Sequence, residues 1–332
     1  MFQVHTVLLT VLRGTMYNNI IFDTVNTGYL VFNNTEHLKE NRSEIIMFRD
    51  KKVYRFFLKN FIETVEMLKN KFLLPGGNII LLFDNYESRD ELNRLLRPLK
   101  ESDNRRKVNV EYKSTRIRQK MEFYNTIDLL RYYYLIQTDQ YHTAQIPNLE
   151  ADDLVPCCLE RCEGKTLLIS NDSDWCRYLS EGVHTLPDLY WNPMNIQGFI
   201  EKNGYEPTEG KIILNKVLWG DSTDNIDAVF PDLKPEVKNY IVEHFDDVQD
   251  FMLNAGNNTM TSPFVVLIKD RESDIRLAYQ MLVAIPVAEK HFNAIYTTGR
   301  NSGTMLKSLH TKIYGEDPDV FQFGVTLPRG SP

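Results

Sequence analysis

Three short apolar runs, each leading into aspartate, constrain this chain more than any other feature. Ile20 to Phe22 runs into Asp23, Ile79 to Phe83 into Asp84, and Thr166 to Ile169 leads to Asp172 and Asp174. A strand that is apolar at every position buries both faces, as in a parallel sheet covered by helices. The segments between supply such helices. Val53, Phe56, Phe57, Phe61, Val65, Leu68 and Phe72 recur at helical spacing within a helix expected over 48–72, which Pro75–Gly77 should stop. Further helices are expected over 123–137 and after "LEADDL" (149–154), with "VHTL" (183–186) as another strand. Pro156 favours a late start for the second of these, because inside a helix it removes a backbone hydrogen bond. Beyond Gly220 helical patterns dominate.

The composition, 42% hydrophobic and 25% charged, is that of a globular protein, and no apolar run reaches the ~20 residues that cross a bilayer. Residues 1–15 form an uncertain extension. They have an apolar middle without preceding basic residues, so they make a poor signal peptide. Cys157, Cys158, Cys162 and Cys176 lack zinc-ligand spacing, and three lie on one expected helix. They are read as buried free thiols of a reducing cytoplasm. The formal charge of −7 argues against holding nucleic acid by bulk electrostatics but leaves room for a local basic stripe. The seven histidines are scattered and receive no role.

In open parallel sheets functional groups gather at the carboxyl ends of the strands. Asp23, Asp84 and Asp172 would meet there, joined by Asp174, by Glu150, Asp152 and Asp153 of "LEADDL", and by Asp221 and Asp224 of "GDSTDN". Such crowding requires neutralising cations or protonation. Hard oxygen ligands select Mg²⁺, Mn²⁺ or Ca²⁺, with Mg²⁺ taken as the ion and Mn²⁺ as its substitute. Because Mg²⁺ uses few carboxylates per ion, the set implies two or more ions, and a pair about 4 Å apart can clamp a phosphodiester. Each motif also has an ordinary explanation: helix-start electrostatics for "EADD", an Asx turn for "NDSD". Between the second apolar run and "LEADDL" lies a basic stretch. Arg105, Arg106, Lys107, Lys113, Arg116, Arg118 and Lys120 stand against Glu111 alone. It is either a solvated loop or a phosphate-guiding arch (about 86–122).

Taken in order, "IIFDTVN", "LLFDN", "YKSTR", "EADDL", "ISNDSDW" and "GDSTDNI" resemble the signatures of flap endonucleases and 5′→3′ exonucleases, most of all the phage ribonuclease H branch. The resemblance spans about Ile20 to Ile226. It implies an α/β, PIN-like (Rossmann-like), mostly parallel sheet flanked by helices, with a basic arch and a helical C-terminal region. A nuclease core would occupy 16–220 and a DNA-binding region with a tail 221–332. It implies Asp23, Asp84, Glu150 and Asp152 as ligands of a first metal. Asp172, Asp174 and Asp221 would form a looser second site, with Asp153 and Asp224 as outer or water-mediated ligands. Lys113 and Arg116 would act at the scissile phosphate beside Tyr112.

The activity implied is two-metal hydrolysis at 5′ flaps or RNA primers near single-strand/duplex junctions, in replication or repair. Partners would be DNA and RNA–DNA hybrids, with a sliding clamp or single-strand-binding protein considered. The protein would work as a monomer in the (host) cytoplasm. Two alternatives remain: a junction binder that does not cut, and a PIN-type ribonuclease on single-stranded RNA. No glycine lies between Gly220 and Gly256, so the family's glycine-rich duplex-binding hairpin cannot form in the usual way, leaving Lys234 and Lys238 as contacts. "DVFQFG" (319–324) is either a clamp peptide or a packed tail.

Overall fold

A computed structural model describes residues 15–34, 44–84, 120–146, 149–189, 192–222, 224–257, 259–300 and 302–314. The first elements are β1 (Tyr17–Asp23), α1 (Thr24–Asn34), β2 (Ile45–Phe48), β3 (Lys51–Tyr54), α2 (Arg55–Phe72), β4 (Leu73–Leu82) and α3 (Met121–Leu135). Next come β5 (Tyr141–Ala144), α4 (Ala151–Leu159), β6 (Thr166–Ile169), a 3₁₀ turn over Ser173–Tyr178 and β7 (Val183–Leu186). The remainder comprises α5 (Ile196–Asn203), α6 (Glu209–Trp219), α7 (Pro235–His244), α8 (Val248–Asn254) and α9 (Val265–Asp270). It ends with α10 (Glu272–Leu282), α11 (Glu289–Ile295), β8 (Thr297–Thr298) and α12 (Gly303–Tyr314).

One six-stranded sheet, ordered β7-β6-β1-β4-β5-β8, organises these elements. Every pairing is parallel except that of the short edge strand β8 with β5. The apolar runs work as expected for strands covered on both faces. Ile20, Phe22, Ile79, Leu81, Leu167 and Ile169 enter one core with α2, α3 and α12, while Ile21, Ile80, Leu82 and Leu168 enter another with α4 and α11. Each such side chain contributes about 1.5–3 kcal/mol when fully buried. Helices α6, α7, α8 and α10 enclose a further core around Leu214, Ile241, Phe251 and Ile275. The chain then returns to the sheet, where α11, β8 and α12 pack on its edge and faces. Among the described residues no helix is long and apolar enough to cross a membrane.

Several expectations are corrected. The helix foreseen over 48–72 begins at Arg55; residues 45–54 form an antiparallel hairpin whose turn, Arg49–Asp50, has positive φ at both positions. Pro75–Gly77 does not stop that helix. The chain is already in β4 at Leu73, and this tripeptide lies in the irregular stretch where the pairing shifts from Tyr17↔Leu73 to Asn19↔Asn78. Glycine is required there, since a Cβ on Gly77 would lie 2.5 Å from the Asn18 carbonyl oxygen. Helix α1 and strands β5 and β8 were not foreseen.

Pro156 sits inside α4, which starts at Ala151 without delay. The donor that proline lacks would have served the Asp152 carbonyl, one turn earlier. The Tyr178 hydroxyl supplies it instead, donating to that oxygen at 3.0 Å. A carbonyl next to the acidic rim is thereby satisfied.

Candidate metal centre at the carboxyl rim

Register decides which carboxylates meet. Phe22 pairs with Ile169 and Asp23 with Leu82, so Asp23 ends β1 beside Ser170 on one side and the run to Asp84 on the other. The Asp23 carboxylate accepts from the Asn26 N–H (3.0 Å) and the Ser170 hydroxyl (3.1 Å). Asp84 accepts from the Ala151 N–H at 2.7 Å, which joins the end of β4 to the positive end of α4. Glu150, buried, is the residue before that helix, and Asp152 is in its first turn. Ser170 also accepts from the Asp172 N–H, and Asp172 in turn accepts from the Asp174 N–H at 3.0 Å.

Asp23, Asp84, Asp152 and Asp172 are close enough for their charges to interact. Burial, followed by the Asp84 charge and then those of Asp172 and Asp152, holds the Asp23 carboxyl well above the ordinary range, against the Asn26 N–H. Asp172 is pushed up to about 6 by burial and by Asp174, with Lys216 opposing. Donor chemistry and the like charge around Asp23 both fit a hard divalent cation at the end of the rim that carries Asp23, Asp84 and Asp152, with Glu150 next to the start of α4. Among the described residues no group of three or more His, Cys, Asp or Glu side chains is placed to hold a metal ion by itself. Mg²⁺ does not need one, since it keeps several waters and uses one or two carboxylates.

The other end of the rim does not fit a cation. Lys216 Nζ contacts one oxygen of Asp174 and lies 2.6 Å from Asp221. The second Asp174 oxygen is 3.0 Å from the Arg177 guanidinium. Burial lowers the Lys216 pKa, but the charges of Asp174 and Asp221 outweigh it and the net shift is upward. Arg177, its side chain fully buried, also donates to the carbonyls of Asp174 (2.8 Å) and Leu282 (2.9 Å).

Asp153, expected as an outer or water-mediated ligand, is buried, with one oxygen accepting from the Glu150 N–H (3.1 Å) and the other from the Ile285 N–H (2.8 Å). It fixes the start of α4 and ties it to the segment after α10. Asp224 is buried in a turn closed by paired hydrogen bonds between Asp221 and Ile226, at 2.7 and 2.9 Å. Gly220 enters that turn with φ +78, and a Cβ there would lie 2.7 Å from the Ala228 nitrogen.

Of the two lysines expected on duplex, Lys234 is exposed at the start of α7. Lys238 is buried with its ammonium 4.6 Å above the Trp219 ring, a cation–π contact that withdraws it from solvent. Lys120 is exposed ahead of α3. Arg105, Arg106, Lys107, Tyr112, Lys113, Arg116 and Arg118 lie outside the described residues, as do 1–14 and "DVFQFG". The four cysteines are free, with Cys157, Cys158 and Cys176 buried and Cys162 partly so, just beyond α4. Sequence reasoning missed Lys216, Arg177, Ser170 and Tyr178. Only Arg177 had a local signal, three residues after Asp174.

Solved structures share this fold. The bacteriophage T5 D15 protein crystallised with metal ions aligns with TM-score 0.55 and 18% identity over 90% of this chain and 98% of its own. A complex of the T5 D15 flap endonuclease with DNA and metal ions gives 0.55 and 17% over the same shares. T5 5′-exonuclease with bound zinc gives 0.53 and 18% over 80% and 88%. No protein-family model matches the sequence, and no curated protein matches it significantly. The chain therefore has the fold of these 5′ nucleases: a mostly parallel sheet flanked by helices.

The raised carboxyls give the metal-free protein a defined pH response. A carboxyl whose folded value exceeds its unfolded one favours folding at low pH, and that advantage is lost as pH rises through the folded value. For Asp172 the window runs from 3.8 to about 6, and Asp23 acts in the same direction. In EDTA the contribution of these groups to the melting temperature should fall across that window. Mg²⁺ should raise the melting temperature more at about pH 7.5 than at about pH 5, because it competes with protons for the same oxygens. Calorimetric scans with and without Mg²⁺ check this; an equal gain at both pH values would contradict it.

Proposed function

We propose that this chain is a divalent-metal-dependent 5′ nuclease. It hydrolyses phosphodiesters at 5′ flaps or RNA primers near single-strand/duplex junctions, in DNA replication or repair. The observation that carries the reading is the convergence of Asp23, Asp84, Asp152 and Asp172 on one rim of a fold shared with T5 5′ nucleases. Asp23, Asp84, Glu150 and Asp152 would hold Mg²⁺ or Mn²⁺, which supplies Lewis-acid chemistry at the phosphate. Ser170 and Asn26 orient Asp23, and the Ala151 N–H orients Asp84. Two-ion catalysis, implied by the family resemblance, would require displacing Lys216 from Asp174 and Asp221.

Lys113 and Arg116, with Tyr112 beside them, would neutralise charge at the scissile phosphate. Arg105, Arg106, Lys107, Arg118 and Lys120 would guide the single strand. The topology supports this assignment: residues 85–119 leave from the end of β4 and return at the start of α3, so both anchors stand at the carboxyl rim. Residues 221–332 would serve as the DNA-binding region, with Lys234 on duplex. A second reading, a junction binder that does not cut, is favoured by one observation, the cations already paired with Asp174.

A Mg²⁺ assay over 5′-flap, nicked, RNA–DNA hybrid and single-stranded substrates separates the readings. Cleavage near the flap junction or within the hybrid is expected. Lys113→Ala should slow cleavage more than it weakens binding. Tight flap binding without cleavage in Mg²⁺ or Mn²⁺ would make it a junction binder. Cleavage of single-stranded RNA alone would make it a PIN-type ribonuclease.

A further inference from the structure

The geometry points to Lys216 as a built-in cation that occupies the second half of the acidic rim, so that the free protein takes up one divalent ion rather than two. This inference rests on the metal-nuclease reading above and limits its stoichiometry. Both oxygens of Asp174 already face cations, Lys216 on one side and the Arg177 guanidinium at 3.0 Å on the other. Asp221 faces the same ammonium at 2.6 Å. The Lys216 side chain is only 10% exposed, and both of its carboxylate partners are as enclosed.

Lys216 cannot easily withdraw. It lies in α6 among the buried residues Ile212, Ile213 and Val217, and that helix packs on the core built by α7, α8 and α10. Arg177 is held in place by the Leu282 and Asp174 carbonyls and by Glu209 at 3.6 Å. A divalent ion at Asp174 and Asp221 would have to break these ion pairs and then stand beside the displaced ammonium, which repels it. At the opposite end the surroundings differ in kind. Among the described residues Asp23 receives an N–H and a hydroxyl, and the charges that act on it are carboxylates. One monovalent cation fixed in the fold and one exchangeable divalent ion divide the rim between them.

The test is Mn²⁺ binding to the full chain, without nucleic acid, by titration calorimetry and by the electron paramagnetic resonance of free Mn²⁺. Wild type should bind one ion. Lys216→Met keeps most of the stem and removes the charge, so it should gain a second ion bound at least tenfold more tightly than any second ion on wild type. Lys216→Arg should stay at one. Should Lys216→Met fail to fold, Asp174→Asn decides: on this account it leaves the stoichiometry and affinity of wild type unchanged. Two ions on wild type, with the second lost in Asp174→Asn, would overturn the inference while leaving the nuclease reading standing. No Mn²⁺ uptake at all would overturn both.

Discussion

Asp23→Asn should lower Mg²⁺-dependent cleavage by roughly a hundred- to a thousandfold, the scale of losing one preorganised electrostatic group at a reacting phosphate. The same variant should melt at a higher temperature than wild type in EDTA near pH 7.5. The two effects have one cause. Asp23 sits at the end of a strand buried from Asn19 onward, near the charges of Asp84, Asp152 and Asp172, and its carboxyl is held well above the ordinary range. Ionising it in the metal-free protein costs free energy. Asparagine keeps an acceptor for the Asn26 N–H and can donate to Ser170, so the local hydrogen bonds survive while the repulsion goes. A site whose improvement in stability abolishes its chemistry is built for a ligand. Loss of cleavage together with a lower melting temperature in EDTA would show instead that Asp23 is a structural residue.

Arg177→Ala should be the most destabilising single change at the rim, by about 3–5 kcal/mol, the usual cost of removing one partner of a buried ion pair. Its side chain has no exposure. It bridges Asp174 in the 3₁₀ turn to the Leu282 carbonyl at the end of α10, and so couples the sheet region to the helical one. Removing it leaves Asp174 with Lys216 alone and strands a carbonyl inside the protein. For a chain of this size the melting temperature should fall on the order of 4–7 °C by differential scanning calorimetry. Arg276→Ala, which removes the exposed pair with Glu272, should change stability by less than about 1 kcal/mol. Comparable effects from the two substitutions would contradict the bridging role of Arg177.

What the sequence disclosed follows from the range over which each feature is determined. Strands β1, β4 and β6 were visible because consecutive apolar residues leave a strand few alternatives, and their aspartates fell at the rim because parallel strands share an end. The hairpin over 45–54 was hidden because Val53 continues the helical spacing of α2 and its turn contains neither glycine nor asparagine. Helix α1, TVNTGYLVFNN, has little helical propensity of its own. Packing defines it: a Cβ on Gly28 would lie 2.9 Å from the end of Ile127, so glycine permits the close approach of α3.

At the site the carboxylates were legible and their partners were not. Asp153 looked like a ligand because it belongs to an acidic run; its partner at Ile285 comes from a distant part of the chain. Lys216 stands in an apolar helical stretch with no acidic neighbour in sequence to mark it. Only the fold brings Asp174 and Asp221 to it.

The central claim is that the rim around Asp23 holds a divalent ion for phosphodiester hydrolysis. The most direct measurement follows a 5′-labelled flap substrate incubated with wild type and Asp23→Asn in Mg²⁺, with an EDTA control. Cleavage near the junction by wild type in Mg²⁺, suppressed both by Asp23→Asn and by EDTA, is the result this account predicts. Equal cleavage by the variant, or flap binding by wild type with no cleavage in any divalent ion, would contradict it.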